Sequence, residues 1–105
     1  MHKKLARIEQ KIARLKDELQ QIGEMRPGSL TRQYQNRKEK KGGYYQISYT
    51  YQMKSRTEYV RPEFVAELQK QVGTFRRFKD LIQEWIDLAI EHSRLKMEIA
   101  KSVRE

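Results

Sequence analysis

The stretch GGYYQISYTYQMKSRTEYVRPEFV, residues 42–65, decides the fold of this chain. From Tyr44 to Tyr51, aromatic and β-branched residues recur with a period of two, which is typical of a β-strand. Ser55–Val60 has the same character, so we predict a β-hairpin that turns around Gln52-Met53-Lys54. That turn lacks the Asn-Gly or Asp-Gly that usually fixes the register of a hairpin. Gly42-Gly43 interrupts the chain just before the first strand.

The segments on either side of the hairpin extend this prediction. Ser29–Gln35 admits two interpretations, an edge strand or a short helix, and we favour the strand because a hairpin alone is marginal in water. Pro62 stands where a helix should begin, since proline suits the first helical position. Four apolar residues then follow at helical spacing and are expected to face inward: Phe64, Val65, Leu68 and Val72.

Both ends of the chain indicate helices. Apolar residues recur at alternating spacings of three and four near the N-terminus, a coiled-coil pattern, at Leu5, Ile8, Ile12, Leu15, Leu19 and Ile22. Gly23 and Pro27 are expected to stop this helix. A second seam occupies Thr74–Val103, after Gly73, which either kinks or ends the helix that starts at Pro62. The two seams fit an antiparallel pair within one chain and a dimer equally well.

The predicted fold class is therefore α+β. It comprises an N-terminal coiled-coil helix over residues 1–24, a basic, tyrosine-rich module of strands and helix over 25–72, and a long amphipathic helix over 73–105. With 105 residues and 35% charged side chains, the chain suits long helices with narrow apolar seams better than a large spherical core.

Composition excludes several classes of function. The chain has no cysteine and only two histidines, His2 and His92, so we expect no metal site and no cofactor. No apolar run is long enough to span a bilayer, and the start has no secretory signal, so we expect no membrane association and a cytoplasmic location. No Gly-rich phosphate loop or clustered acids suggest catalysis, so we expect a protein that is not an enzyme.

The net charge of +9 is concentrated in the middle of the chain. Residues 26–61 carry two acidic side chains, Glu39 and Glu58, against nine basic ones: Arg26, Arg32, Arg37, Lys38, Lys40, Lys41, Lys54, Arg56 and Arg61. A cationic segment of this kind attracts polyanions. We therefore predict that these nine residues contact nucleic acid, with Arg32, Lys54, Arg56 and the Lys40-Lys41 loop lining the surface. The alternative for residues 37–41 is a solvated loop.

All six tyrosines lie between Tyr34 and Tyr59, beside these cations. Tyr45, Ile47, Tyr49 and Tyr51 share one strand face, and packing against the Phe64–Val72 helix is the simplest role for them. Tyr44 is on the other face, where we predict that it stacks on bases or bonds phosphates.

The motifs MRPGSLTRQY (residues 25–34) and GGYYQISYTYQMKSRTEYV (residues 42–60), followed by a long amphipathic helix, resemble a small prokaryotic family of unknown function. The resemblance implies an association with transposases and other mobile elements. Relatives carry a cysteine-rich insertion between the two motifs, which suggests a metal, whereas this chain has NRKEKK at residues 36–41. The strand–strand–helix core is also similar to the arm-binding domains of tyrosine integrases, which bind DNA with a sheet.

From these observations we predict a non-catalytic DNA-binding accessory protein of a mobile element. The terminal helices would allow this protein to form a homodimer. Two alternatives stay open. One is a structural adaptor whose coiled-coil helices bind a larger partner protein, and the other is an RNA-binding subunit of a ribonucleoprotein.

Overall fold

The computed structural model describes residues 1–104. Its elements, in chain order, are α1 (His2–Gln20), β1 (Ser29–Asn36), β2 (Lys41–Tyr51), β3 (Lys54–Val60), a short 3-10 helix (Pro62–Phe64) and α2 (Val65–Arg104). The predicted α+β fold, with an N-terminal helix, a three-stranded sheet and a long C-terminal helix, is confirmed. The chain divides into two compact units, and the boundaries fall at residues 22/23 and 76/77.

The first unit pairs α1 with the part of α2 from Arg77 onward. Its apolar contact is centred on Ile8 and Leu15 of α1 and on Leu81 and Leu95 of α2, all buried. Three polar contacts join residues near the end of α1 to early residues of this part of α2, and earlier residues of α1 to later ones. They are Glu18 with Arg77, Lys16 over the ring of Trp85, and Glu9 with His92. Within this unit the two seams therefore pair antiparallel.

The ends of the helices differ in detail from the prediction. α1 ends at Gln20, before the Gly23 that we expected to stop it, and the backbone N–H of its cap residue Gln21 donates to the carbonyl of Glu18 at 3.1 Å. α2 continues without a break through Gly73, where an added Cβ would meet no atom within 4 Å. The interpretation in which the helix ends at Gly73 is therefore wrong.

The second unit, Gly23–Arg76, is an antiparallel sheet in the order β1-β2-β3 packed on the start of α2. Ile47, in the central strand, is 1% exposed and packs with Val60 and with Leu68 and Val72 of α2. Leu30, Tyr45 and Val65 surround this cluster. The strand prediction for Ser29–Gln35 is confirmed, as is the packing of Ile47 and Tyr45 against the helix.

Three details of the second unit were predicted wrongly. Gly42 and Gly43 lie inside β2, because the pairing of Tyr34 with Gly43 and of Asn36 with Lys41 carries the ladder past them. Tyr51 is 57% exposed, since it belongs to the last pair at the hairpin end. Phe64 is 47% exposed, because it lies in the 3-10 helix that precedes the buried positions of α2.

The two residues of the β2–β3 turn adopt a backbone conformation that is unfavourable for their residue types. Gln52 and Met53 connect the pair Tyr51 and Lys54, and both have positive φ, 50° and 65°. A two-residue hairpin turn of this kind matches the twist of the strands, but it favours Asn-Gly because other residues are strained at positive φ.

We expect Gln52→Asn combined with Met53→Gly to raise the free energy of unfolding by about 1–2 kcal/mol, because it relieves this strain. Urea unfolding followed by circular dichroism measures the change. Met53 is 97% exposed, so the substitution loses no packing. An unchanged or lower stability would contradict the assigned turn conformation.

No helix within residues 1–104 has the length and apolar character that crossing a membrane requires.

Candidate nucleic-acid interface

The register of the sheet assigns every strand residue to one of two faces. Leu30, Ile47 and Glu58 are cross-strand partners, and so are Arg32, Tyr45 and Val60. Because Ile47 and Val60 are buried against α2, these residues and those two positions away lie on the helix-facing side. The alternate residues lie on the opposite side, which we call the open face.

The open face contains no charged side chain. It consists of hydroxyl, amide and phenol groups: Ser29, Thr31, Gln33 and Gln35 of β1, Tyr44, Gln46, Ser48 and Thr50 of β2, and Ser55, Thr57 and Tyr59 of β3. None of them is buried. Ser48 and Thr57 share a hydrogen bond of 3.3 Å across the strands, and the amide of Gln33 donates to the Thr31 hydroxyl at 3.3 Å.

Two tyrosines from neighbouring strands lie together on the open face. The ring centroids of Tyr44 and Tyr59 are 6.5 Å apart, with Tyr44 half-buried and Tyr59 64% exposed. With Gln35, Gly42 and Gly43 they line a depression of about 500 Å³. The predicted contact residue Tyr44 is therefore accessible.

The helix-facing side holds a charged cluster around Glu58. Its carboxylate accepts hydrogen bonds from Arg26 at 2.9 Å and from the Tyr49 hydroxyl at 2.8 Å. The Arg26 guanidinium also lies 4.7 Å from the centroid of the Tyr49 ring. These two hydrogen bonds, and the charge of Arg26, hold the pKa of Glu58 below its ordinary value. The backbone N–H of Arg26 donates to the carbonyl of Gln71 at 3.1 Å, and this hydrogen bond attaches the segment before β1 to α2.

Several of the predicted cations lie on this same side. The Arg32 guanidinium lies 5.5 Å and 5.6 Å from the ring centroids of Tyr34 and Tyr45. Lys54 and Arg56 are exposed and pair with Tyr51 and Tyr49 across the hairpin. Arg32, Lys54 and Arg56 thus belong to the helix-facing side of the two outer strands and do not project from the open face.

The remaining cations cluster mainly at the β1–β2 turn. Arg37, Lys38 and Lys40 are exposed in the turn at residues 37–40, and Lys41 begins β2. Lys41 pairs with Glu39 at 3.4 Å, with both side chains largely exposed. Arg61, also exposed, follows β3 as the cap of the 3-10 helix.

The structure therefore places basic groups at both ends of the sheet. Arg37–Lys41 lies at the start of β2, whereas Lys54 and Arg56 lie beside its end. An eleven-residue strand spans about 35 Å, so these two groups are separated by roughly that length. Between them is the uncharged open face, where Gln33, Gln46 and Tyr59 were not among the predicted contact residues.

A simple signal in the sequence could have identified Tyr59. In the run from Lys54 to Tyr59, charged and uncharged polar residues alternate strictly. In a strand this alternation sends all charges to one side and all hydroxyl groups to the other. The predicted contact residues were nine cations and Tyr44, so Tyr59 was overlooked.

The open face is chemically suited to hydrogen bonding with bases. Glutamine amides match the N6 and N7 groups of adenine, and serine and threonine hydroxyls bond either donors or acceptors on base edges. Among the described residues, no group of three or more His, Cys, Asp or Glu side chains could hold a metal ion.

The fold and this surface define a small α+β protein with an open, uncharged sheet face bounded by cations. Residues 5–70 match the model of a family described as a domain of unknown function (DUF6788), and the chain belongs to that family. The matched span includes both motifs of the resemblance, residues 25–34 and 42–60, so membership of a family of unknown function is confirmed. No curated protein and no solved structure matches this chain.

Proposed function

We propose that this protein is a non-catalytic, DNA-binding accessory protein that inserts its sheet into the major groove of a duplex. In this proposal the open face contacts base edges, and the cations at both ends of the sheet contact phosphates. The observation that carries the proposal is the separation of the two kinds of groups. Uncharged hydrogen-bonding side chains lie on the open face, whereas the basic side chains lie in the β1–β2 turn at one end of the sheet and, at the other end, on the helix-facing side of β3.

Groove dimensions support a duplex as the ligand. The major groove of B-DNA is about 12 Å wide and admits a two-stranded β-ribbon. Neighbouring strands lie about 4.8 Å apart, so two strands of this sheet fit between the phosphate backbones. The start of α2 packs on the other side of the sheet, against Ile47 and Val60, so the open face is the side that a groove can receive.

The biological setting that we propose is a mobile genetic element, and the support for it is the motif resemblance of residues 25–34 and 42–60. We also propose that the protein is not an enzyme, because its motifs contain no nucleophile with an adjacent base.

An RNA-binding function is the second candidate, and one observation favours it. Tyr44 and Tyr59 present two aromatic rings on an open sheet, and single-stranded RNA is commonly bound by stacking of bases on such rings. Duplex binding would use the whole open face, whereas RNA binding would depend mainly on these two tyrosines.

We expect selection from a library of random DNA duplexes to enrich one sequence, and Gln33→Ala with Gln46→Ala to reduce the preference for it at least tenfold. The physical reason is that each bidentate amide–base contact discriminates by about 1–3 kcal/mol. Affinity for unrelated duplexes should stay unchanged, because the phosphate contacts persist.

The matched control is Gln10→Ala with Gln20→Ala, two exposed glutamines on α1. This variant should keep the wild-type preference. If the library gives no enriched sequence, or if the sheet variant discriminates as well as wild type, base contact by the open face is excluded.

A further inference from the structure

α2 presents a second apolar seam that α1 does not cover. Leu81 and Leu95 face α1 and are buried, whereas Ile86 and Ile90 are each 48% exposed and Met97 is 63% exposed. At 100° per residue, the exposed group lies on a separate side of the helix. We call it the outer seam and define it as Ile82, Ile86, Ala89, Ile90, Ser93 and Met97.

The outer seam is long enough to act as an interface. It extends over sixteen residues, which is about four turns of helix. Near its start, Ile82, Trp85, Ile86 and Ala89 line a shallow apolar groove of about 210 Å³. Single exposed apolar residues are ordinary on a surface, but a continuous seam at heptad-like spacing is typical of a helix–helix interface.

Charges along one flank of the outer seam indicate what covers it. Four charged residues are seven positions apart and so share one line along the helix: Asp80, Asp87, Arg94 and Lys101. The two acidic residues occupy the first half of the line and the two basic residues the second half. Asp80, Arg94 and Lys101 are exposed, and no ion pair in the described part of the chain involves them.

The order of these four charges is complementary to itself when two copies of the helix pair antiparallel. In an antiparallel pair the same flank of each helix meets, so positions equidistant from the midpoint face each other. With the midpoint between Ile90 and Glu91, Asp87 faces Arg94 of a second copy, and Asp80 faces Lys101. Two-fold symmetry repeats both pairs. A parallel pair would set this flank against the other flank, at Ile82, Ala89 and Lys96, and would form none of these ion pairs.

We propose that two copies of this chain associate antiparallel through the outer seam of α2, with Asp80, Asp87, Arg94 and Lys101 setting the direction. Burial of the apolar side chains supplies the affinity, and the four ion pairs select the antiparallel arrangement. The proposal stands independently of the proposed function, since it rests on the first unit alone.

A charge-exchange experiment tests the proposal directly. We expect the wild type to sediment at twice the mass of one chain at high micromolar concentration. Asp80→Lys with Asp87→Arg makes the flank wholly basic, and Arg94→Asp with Lys101→Glu makes it wholly acidic. Each variant alone should dissociate at least tenfold more readily than wild type, and an equimolar mixture should form a heterodimer.

Two cysteine variants test the direction, since the chain has no native cysteine. Ile90→Cys lies beside the proposed midpoint and should crosslink two copies on oxidation. Ala100→Cys should not crosslink to itself, because an antiparallel pair separates the two positions by about 28 Å. Crosslinking at residue 100 would overturn the antiparallel arrangement.

Substitutions of the apolar residues test whether the outer seam itself is the interface. Ile86→Glu with Ile90→Glu should be monomeric, and the retention of helix, measured by circular dichroism, controls for folding because both side chains are half exposed. A wild type that stays monomeric at high concentration, or a dimer that persists in this folded variant, overturns the proposal. All these measurements omit nucleic acid, so their failure is distinct from a failure of DNA binding.

Discussion

Replacement of Lys40 and Lys41 by glutamate should weaken binding to double-stranded DNA about 100-fold at physiological salt. Both side chains are exposed at the β1–β2 end of the sheet, where the proposed complex brings them against phosphates. Two lost contacts of about 1.4 kcal/mol each account for the effect, since each such amount is a tenfold change. Repulsion between the new carboxylates and the phosphates acts in the same direction.

The salt dependence should change together with the affinity. If about half of the nine cations between residues 26 and 61 contact phosphates, log K falls with log salt at a slope of roughly −4. The double variant should reduce this slope to about −2, because each phosphate contact contributes about −0.9.

The matched control is Lys3→Glu with Arg7→Glu, which changes the net charge equally on an exposed part of α1. It should retain nearly all of the affinity. Equal weakening by both variants would mean that net charge alone attracts the DNA and that the turn makes no specific contact.

The second large effect concerns stability: Gly28→Ala should lower the free energy of unfolding by about 2–5 kcal/mol. Gly28 has a φ of +137°, a conformation that other residues adopt only with strain of about 1–3 kcal/mol. An added Cβ would also lie 2.8 Å from Cγ1 of Ile47 and 2.9 Å from the carbonyl oxygen of Ser48. Because Ile47 is the centre of the core and the second atom is backbone, neither contact can be relieved cheaply.

Gly73→Ala is the contrasting variant. An added Cβ at this position meets nothing within 4 Å, and the residue lies inside α2. We expect it to raise stability by about 1 kcal/mol, through the higher helix propensity of alanine. Thermal unfolding of both variants measures the contrast, and a Gly28→Ala protein as stable as wild type would contradict the close approach of this segment to β2.

Periodicity predicted the elements of this fold well, because each unit has one clear apolar pattern. The strand at Tyr44–Tyr51 and the seam of α1 follow from spacings of two and of three to four residues. The start of β2 was harder to predict. Gly42-Gly43 indicates a break, but pairing with β1 carries the strand through both glycines, and only tertiary context decides this.

The candidate site was predicted only in part, for a related reason. Charge is visible in a sequence without any knowledge of strand pairing, so the cations of residues 26–61 could be found. Which side of the sheet each side chain occupies depends on the register, and this assigns Arg32 and Arg56 to the helix-facing side. The stacking of Arg26 on Tyr49 beside Glu58 likewise depends on a contact between distant segments.

The central claim is that the sheet binds double-stranded DNA, and fluorescence anisotropy tests it most directly. Labelled duplex DNA, single-stranded DNA and RNA of equal length would each be titrated with the protein at several salt concentrations. We predict tightest binding to the duplex, with a slope near −4 and a preference for the duplex that persists at physiological salt. Preference for RNA, or feeble and equal binding of all three that vanishes by physiological salt, would contradict the claim.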